Sequence, residues 1–149
     1  MTHIEFFKLQ AKNLFRDYQT KKQSFDQVIG DYLYEYDPKY FDMDSIVLDF
    51  DIDEDDFSLM KAQHIIAQMT GFRKWRDMSK ASEPELELAK LLFDNQHKIS
   101  AEDWEMYLKG AEDDNSTTFD PDLRVEIFKQ LFVNQEGHES SFPDYRLNK

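Results

Sequence analysis

The stretch "HIIAQMTGFRKWRDMSKA", residues 64–81, holds the clearest local signal for the fold. A helical run reaches Gly71, and glycine just past the last periodic residue is typical of a helix C-terminus. Three cations interleaved with a tryptophan follow at Arg73, Lys74, Trp75 and Arg76. The stretch therefore predicts a helix that stops at Gly71, followed by one or two further helical turns.

A DNA-reading helix-turn-helix is one interpretation of this stretch. Ala67 and Gly71 have the spacing of a small residue at a helix crossing and the glycine turn after it. The three cations would then begin a recognition helix and meet phosphates or base edges. Asp77 and Lys80 disfavour this, because they fall where the second helix should bury apolar side chains.

A helix stop followed by core anchors is the interpretation that we favour. Phe72 folds back on the last turn of the helix, and Trp75 and Met78 continue the core three residues apart. The cations then lie outside, either as partners for acidic segments of the same chain or as a contact surface. The candidate binding residues are Arg73, Lys74 and Arg76, and the structural anchors are Gly71, Phe72, Trp75 and Trp104.

The charge of the chain is strongly negative and unevenly placed. The net charge is −13, and residues 24–56 hold twelve acids and one cation, whereas residues 57–81 hold one acid and five cations. The overall sign disfavours nonspecific binding to nucleic acid, whose affinity comes mainly from neutralised phosphates. It suits electrostatic steering towards a basic protein partner.

The composition predicts one folded domain. Its 149 residues suit a single core, and thirteen Phe, seven Tyr and two Trp supply the apolar area. The absence of cysteine excludes disulfides, thiolate catalysis and iron–sulfur clusters. We expect a helical domain over residues 1–135 and a C-terminal tail over residues 136–149, docked by Phe142 and Tyr145.

The first half of the chain predicts two helices and a connector. An amphipathic first helix is indicated by the apolar stripe Ile4, Phe7, Ala11, Leu14, Phe15 and Tyr18. Ser24 with Gln27 is a capping-box pattern that predicts a second helix over residues 25–36. Residues 37–52 alternate apolar and acidic positions without a second strand to pair with, so we expect an extended acidic connector. Asp53 then caps the helix that ends at Gly71.

Later helices have clear start signals at Ser82 with Glu85, at Ser100, and at Asp120 with Pro121. With short connections between them, five to seven helices predict an all-α fold in a single compact domain.

The acid run Asp49, Asp51, Asp53 and Asp55 looks at first like a calcium loop. An EF-hand also needs glycine at its sixth place and a bidentate glutamate at its twelfth. Counted from Asp49, those places hold Glu54 and Met60, and counted from Asp51 they hold Asp56 and Ala62. We therefore interpret the run as a solvated acidic loop.

Other site signatures are not present in the sequence. The histidines His3, His64, His97 and His138 are far apart, and none forms a metal-binding pair. There is no glycine-rich phosphate loop and no G-x-S-x-G nucleophile elbow. We expect neither a metal nor a cofactor and no enzymatic activity.

Two stretches together resemble a small helical domain of bacterial and mobile-element proteins that is sometimes called glyoxalase-related. The matching positions are Ala11, Lys12 and Leu14 in an A-K-x-L helix, and Ala62, Ala67, Gly71, Phe72 and Trp75, with Met78 for Leu. The resemblance covers about half of the chain, and the acidic insertion and everything after Glu83 depart from it. It implies no catalytic role, and the metal ligands of true glyoxalases have no counterparts here.

These observations predict a non-enzymatic module that acts by contact with another macromolecule, with a protein as the expected partner. The alternatives are a nucleic-acid-associated regulator that uses the three cations, and an acidic mimic of nucleic acid that occupies a basic protein. Glu5 and Lys8 come too early for the apolar core of a signal peptide, and no apolar run is long enough for a membrane helix. We expect a cytoplasmic protein that does not bind membranes.

Overall fold

The computed structural model describes residues 1–147 of the 149-residue chain. In that range the regular elements are α1 (His3–Tyr18), β1 (Lys22–Asp26), β2 (Asp31–Glu35), α2 (Met43–Asp49), α3 (Leu59–Met69), α4 (Trp75–Ser79), α5 (Glu83–Asp94), α6 (Ala101–Asp114), α7 (Pro121–Phe128) and a π-helical segment (Lys129–Val133). The fold is mostly helical, and the expected number of helices is confirmed at seven. The all-α expectation is wrong because of the β1–β2 hairpin.

Two clusters of buried side chains form the interior. The first cluster joins α1 to α5 and includes Phe7, Leu14, Phe41, Met43, Ile46, Ala62, Ile66, Met78, Ala89 and Phe93. The second cluster consists of Leu92, Ile99, Trp104, Leu108, Phe128 and Phe132. Helix α5 contributes to both, because Ala89 and Phe93 face the first cluster and Leu92 the second.

The predicted helix over residues 25–36 is wrong, because this segment forms most of an antiparallel hairpin. Asp26 closes its turn by accepting hydrogen bonds from the amides of Val28 and Ile29 at 2.8 and 3.1 Å. Gly30 follows with a φ of +73°, in the left-handed region that glycine adopts without strain. The Ser24–Gln27 spacing imitates a capping box, but Ser24 lies within β1 and pairs with Leu33.

The predicted extended connector over residues 37–52 is also wrong in its central part, which forms α2. Asp42 caps this helix by accepting from the Ser45 amide at 3.2 Å. Met43 and Ile46 are buried three residues apart, which is helical rather than strand spacing. Likewise Ser58, not Asp53, is the N-cap of α3, with its side chain accepting from the Lys61 amide at 3.2 Å.

The predicted stop at Gly71 is confirmed and has the geometry of a Schellman motif. The Gly71 amide donates to the Gln68 carbonyl at 3.2 Å, and the Phe72 amide donates to the Ala67 carbonyl at 3.0 Å. Gly71 has a φ of +98°. The predicted start of α5 is confirmed as a full capping box, and the predicted caps of α6 and α7 at Ser100 and Asp120 are confirmed too.

A buried carboxylate joins α1 to the segment between the hairpin and α2. Asp17 is only 1% exposed. Its side-chain oxygens accept hydrogen bonds from the amides of Lys39, Tyr40 and Phe41 at 2.9, 2.8 and 2.8 Å. Three backbone donors satisfy a buried negative charge without a cation, because hydrogen bonds to a charged acceptor are the stronger ones.

The C-terminal segment lies against this same region. The Asp42 amide donates to the Tyr145 carbonyl at 2.8 Å, and the Leu147 amide donates to the Tyr40 carbonyl at 2.9 Å. Tyr145 packs on the first cluster, whereas Phe142 is exposed. Residues 148 and 149 of the predicted tail lie outside the described residues.

The Asp17→Ala substitution should lower the free energy of unfolding by at least about 3 kcal/mol, since it leaves three backbone donors without their acceptor. Urea denaturation measures the change. The matched control is Asp113→Ala, an exposed acid of α6, which should change stability by less than about 0.5 kcal/mol. A loss below about 1 kcal/mol for Asp17→Ala would contradict the role given to this carboxylate.

Candidate functional site: a groove along α3

A groove with a volume of about 820 Å³ runs along α3. Its walls come from the α2–α3 loop, which we define as residues 50–58, and from α4. The apolar residues that line it are Phe50, Ile52, Phe57, Met60, Ile65 and Trp75. This volume lies within the range of ligand-binding clefts, and its lining is mainly apolar, as is common at binding sites.

The middle of the groove is one face of α3. Met60, His64 and Gln68 are four residues apart and therefore share that face, with the buried Ile65 beside them. The Schellman turn then reverses the chain so that α4 returns against α3. The Gln68 side-chain amide donates to the Arg73 carbonyl at 3.3 Å and lies 3.0 Å from the His64 Nε2 atom.

The α2–α3 loop is held in place by phenol groups from distant parts of the chain. The Tyr18 hydroxyl donates to the Glu54 carbonyl, and the Tyr36 hydroxyl donates to the Glu54 carboxylate, both at 2.6 Å. Burial and the hydrogen bond to Glu54 raise the pKa of Tyr36 well above its ordinary value. Lys21 also donates to the Glu54 carbonyl. The loop therefore presents a defined surface to the groove.

Acids and cations reach the groove from different elements. Asp51, Asp53 and Asp56 come from the α2–α3 loop, Arg76 comes from α4, and Lys74 is the N-cap residue of α4. Lys61 of α3 pairs with Asp56 at 2.9 Å.

The three predicted binding residues are exposed, and none of their side chains forms an ion pair within residues 1–147. In the described part of the chain, no acid therefore lies within ion-pairing distance of these cations. Lys74 and Arg76 line the groove, whereas Arg73 lies outside its lining.

The predicted structural anchors occupy different places. Gly71 ends α3, Phe72 is half-buried against the first cluster, and Trp75 both packs on that cluster and lines the groove. Trp104 is completely buried in the second cluster, with its ring centroid 5.1 Å from that of Phe128.

Helix α4 is short for a DNA-recognition helix. It has five residues, and at 1.5 Å per residue it is only about 7 Å long. Met78 of this helix is completely buried, so one side of α4 is committed to the first cluster. The cations at its start are thus displayed on a short turn beside the groove.

Residues 1–147 contain neither a metal-binding cluster nor a membrane-spanning helix. In this range, no group of three or more His, Asp or Glu side chains is placed to hold a metal ion. None of the helices described there is both long and apolar enough to cross a membrane.

The sequence did not indicate the wall formed by the α2–α3 loop. The sequence pattern places Phe50 and Ile52 in an extended connector and Phe57 near the start of the next helix. One usable signal was the spacing of Met43, Ile46 and Phe50, which places all three on one side of a helix that runs up to the groove.

Comparison of the chain with protein-family models, curated proteins and solved structures found no match. The resemblance to the glyoxalase-related helical domain stays a prediction.

The positions of Trp75 and Met78 predict different effects of truncation. Met78→Ala should destabilise the protein by about 2–5 kcal/mol because the side chain is completely buried. Trp75→Ala should cost less, since part of the ring already faces the groove. Thermal unfolding shows which of the two substitutions destabilises the protein more. A larger loss of stability for Trp75→Ala would contradict the assignment of this ring to the groove.

Proposed function

We propose that this chain is a non-enzymatic protein-interaction module whose groove along α3 receives an amphipathic segment of a partner protein. The observation that carries the proposal is an apolar groove with unpaired cations from one element and acids from another. Such a groove offers both burial and a charge pattern to a partner.

The apolar lining would supply most of the binding energy. Trp75 and Arg76 belong to the residue types that dominate measured interface energies. Met60 is 76% exposed, and methionine adapts its shape to different apolar partners. An apolar side chain placed between Met60 and Trp75 would remove both from water.

The charges would set the orientation of the bound segment. Lys74 and Arg76 favour acidic residues near α4, and Asp51 and Asp53 favour a basic residue near the α2–α3 loop. Complementary charges at an interface act mainly on the association rate and on the choice of partner. The expected ligand thus has an apolar face and charges of both signs.

This function agrees with what the glyoxalase-related resemblance implies, since that domain carries no assigned catalytic role. A bacterial or mobile-element origin and a cytoplasmic location are part of the same proposal. The net charge of −13 supports a basic partner through long-range steering.

Selection from a displayed library of short random peptides tests the groove. We expect wild-type protein to enrich peptides that combine apolar and charged residues, and Met60→Asp to weaken their binding by about tenfold or more. The Lys74→Glu and Arg76→Glu double variant should weaken peptides that contain acidic residues. The matched control is Met106→Asp on α6, because Met106 is 73% exposed but lies outside the groove.

No enrichment over a blank surface would contradict the groove proposal. The same conclusion would follow if Met60→Asp and Met106→Asp weakened the selected peptides equally. Circular dichroism of each variant separates a binding defect from a folding defect.

Nucleic-acid binding is a second candidate function, favoured by the exposed and unpaired side chains of Arg73, Lys74 and Arg76. A mobility shift with duplex DNA at low salt should then be lost in the Arg73→Glu and Lys74→Glu double variant and weaken steeply with added salt. Absence of any shift at low salt would end this candidate. The acidic mimic of nucleic acid stays a further prediction, supported by the charge alone.

A further inference from the structure

The β1–β2 hairpin exposes apolar side chains on both faces and at its tip. Phe25 and Tyr32 form a T-shaped pair with ring centroids 5.4 Å apart, and both rings are more than half exposed. Leu33 is exposed on the opposite face, and Val28 at the tip is 96% exposed. Exposed apolar groups concentrated on one small element are characteristic of interaction sites.

Both outer edges of the hairpin are open. In the described part of the chain, β1 pairs only with β2, and neither strand has a further neighbour. One donor of β2 is already engaged, since the Tyr32 amide donates to the Asp31 carboxylate at 2.7 Å. Open edges carry backbone donors and acceptors that an additional strand can use.

The hairpin is a preformed template. Asp26 fixes the turn through two backbone amides. At the base, the Tyr34 hydroxyl donates to Asp55, and the Lys21 ammonium lies 4.7 and 4.6 Å from the ring centroids of Tyr18 and Tyr34. A strand that added to this template would therefore lose little of its binding energy to ordering the hairpin.

The side chains of β2 specify the chemistry of the added strand. Asp31, Leu33 and Glu35 share one face, and Tyr32 and Tyr34 share the other, because successive residues alternate. An added strand would place cations beside Asp31 and Glu35, and apolar side chains beside Tyr32. Opposite charges on neighbouring strands stabilise the pairing.

The same two acids disfavour a second copy of this chain as the occupant. If two β2 edges paired antiparallel with Leu33 opposite Leu33, Asp31 of one copy would lie near Glu35 of the other. Like charges on neighbouring strands are destabilising. The surrounding sequence adds to the repulsion, since residues 24–56 carry twelve acids and one cation. The charge therefore selects a basic partner.

We propose that the open edge of β2 binds an extended basic segment of another protein, with alternating cationic and apolar residues, as a third strand. This site is separate from the groove, and its assignment does not depend on the function proposed for the groove.

Two labelled synthetic peptides of the same composition test the proposal. In the first, lysine and valine alternate over about eight residues, the length of an ordinary strand. In the second, all the lysines precede the valines. At about 0.1 M salt, we expect fluorescence anisotropy to show about tenfold tighter binding of the alternating peptide, since only it can pair charges and apolar groups along β2.

Charge reversal on β2 locates the site. The Asp31→Lys and Glu35→Lys double variant should weaken binding of the alternating peptide by about tenfold or more. The control is Asp113→Lys with Asp114→Lys on α6, which changes the net charge equally and should have less than about a twofold effect. Tyr32→Thr keeps a strand-forming residue and should also weaken the alternating peptide. Thermal melts show that each variant is folded.

Amide chemical shifts distinguish strand pairing from attraction by charge alone. On binding of the alternating peptide, we expect the shift changes to be concentrated on residues 31–35. The groove variant Met60→Asp should leave this binding unchanged, so the two proposals can fail separately.

Four outcomes would overturn the proposal. Equal binding of both peptides would show attraction by charge alone, as expected of an acidic mimic, and binding of neither would remove the site. A concentration-dependent dimer abolished by Asp31→Lys with Glu35→Lys would make the edge a self-association surface. Binding to phosphatidylcholine vesicles that is lost on Ile29→Asp would make the hairpin a membrane contact.

Discussion

Asp17 lies in the last turn of α1, where a negative charge is unfavourable because the carbonyl end of a helix is itself partially negative. Three amides from residues 39–41 offset that cost by donating to its buried carboxylate. The chain that leaves the hairpin is thereby fixed against α1 before α2 begins. Phe41, completely buried beside this contact, then enters the first cluster. A single side chain thus sets where the second quarter of the chain joins the core.

The groove depends on that junction. Helix α2 starts directly after it, and its buried Met43 and Ile46 set the direction in which the chain reaches Phe50 and the α2–α3 loop. The C-terminal segment closes on the same place, with Tyr145 packed against Phe50 at a ring-centroid distance of 5.4 Å. One wall of the groove is therefore built from contacts that are distant in sequence, whereas the wall from α4 follows locally from the Schellman turn.

This difference explains how much of the fold could be predicted. Helix starts at Ser82, Ser100 and Asp120 and the stop at Gly71 rest on hydrogen bonds within a few residues, so local sequence determines them. The hairpin was missed because helical periodicity assumes that apolar residues are buried, and here most of them are exposed. The turn chemistry of Asp26 would have been the better guide.

For the groove too, the sequence predicts the residues of the local wall but not those of the wall formed by distant contacts. The local sequence pattern identifies Lys74, Trp75 and Arg76, but it does not place the opposing acids beside them, because their position depends on the path of α2.

The acids of the α2–α3 loop are bonded mainly by groups other than Lys74 and Arg76. Phenol hydroxyls bond two acids of this loop and one at the end of α2, in the pairs Tyr36–Glu54, Tyr34–Asp55 and Tyr145–Asp49, whereas Asp56 pairs with Lys61. The hydrogen bond to Asp55 raises the pKa of Tyr34, and this neutral donor adds no positive charge beside the acid. Neutral phenol donors thus hold much of the loop in position, and the Lys21 ammonium binds a backbone carbonyl of the loop and not one of its carboxylates. Within residues 1–147, Lys74 and Arg76 form no ion pair, and of the three acids that line the groove only Asp56 does, with Lys61. Asp51, Asp53 and the two cations therefore remain available to a partner.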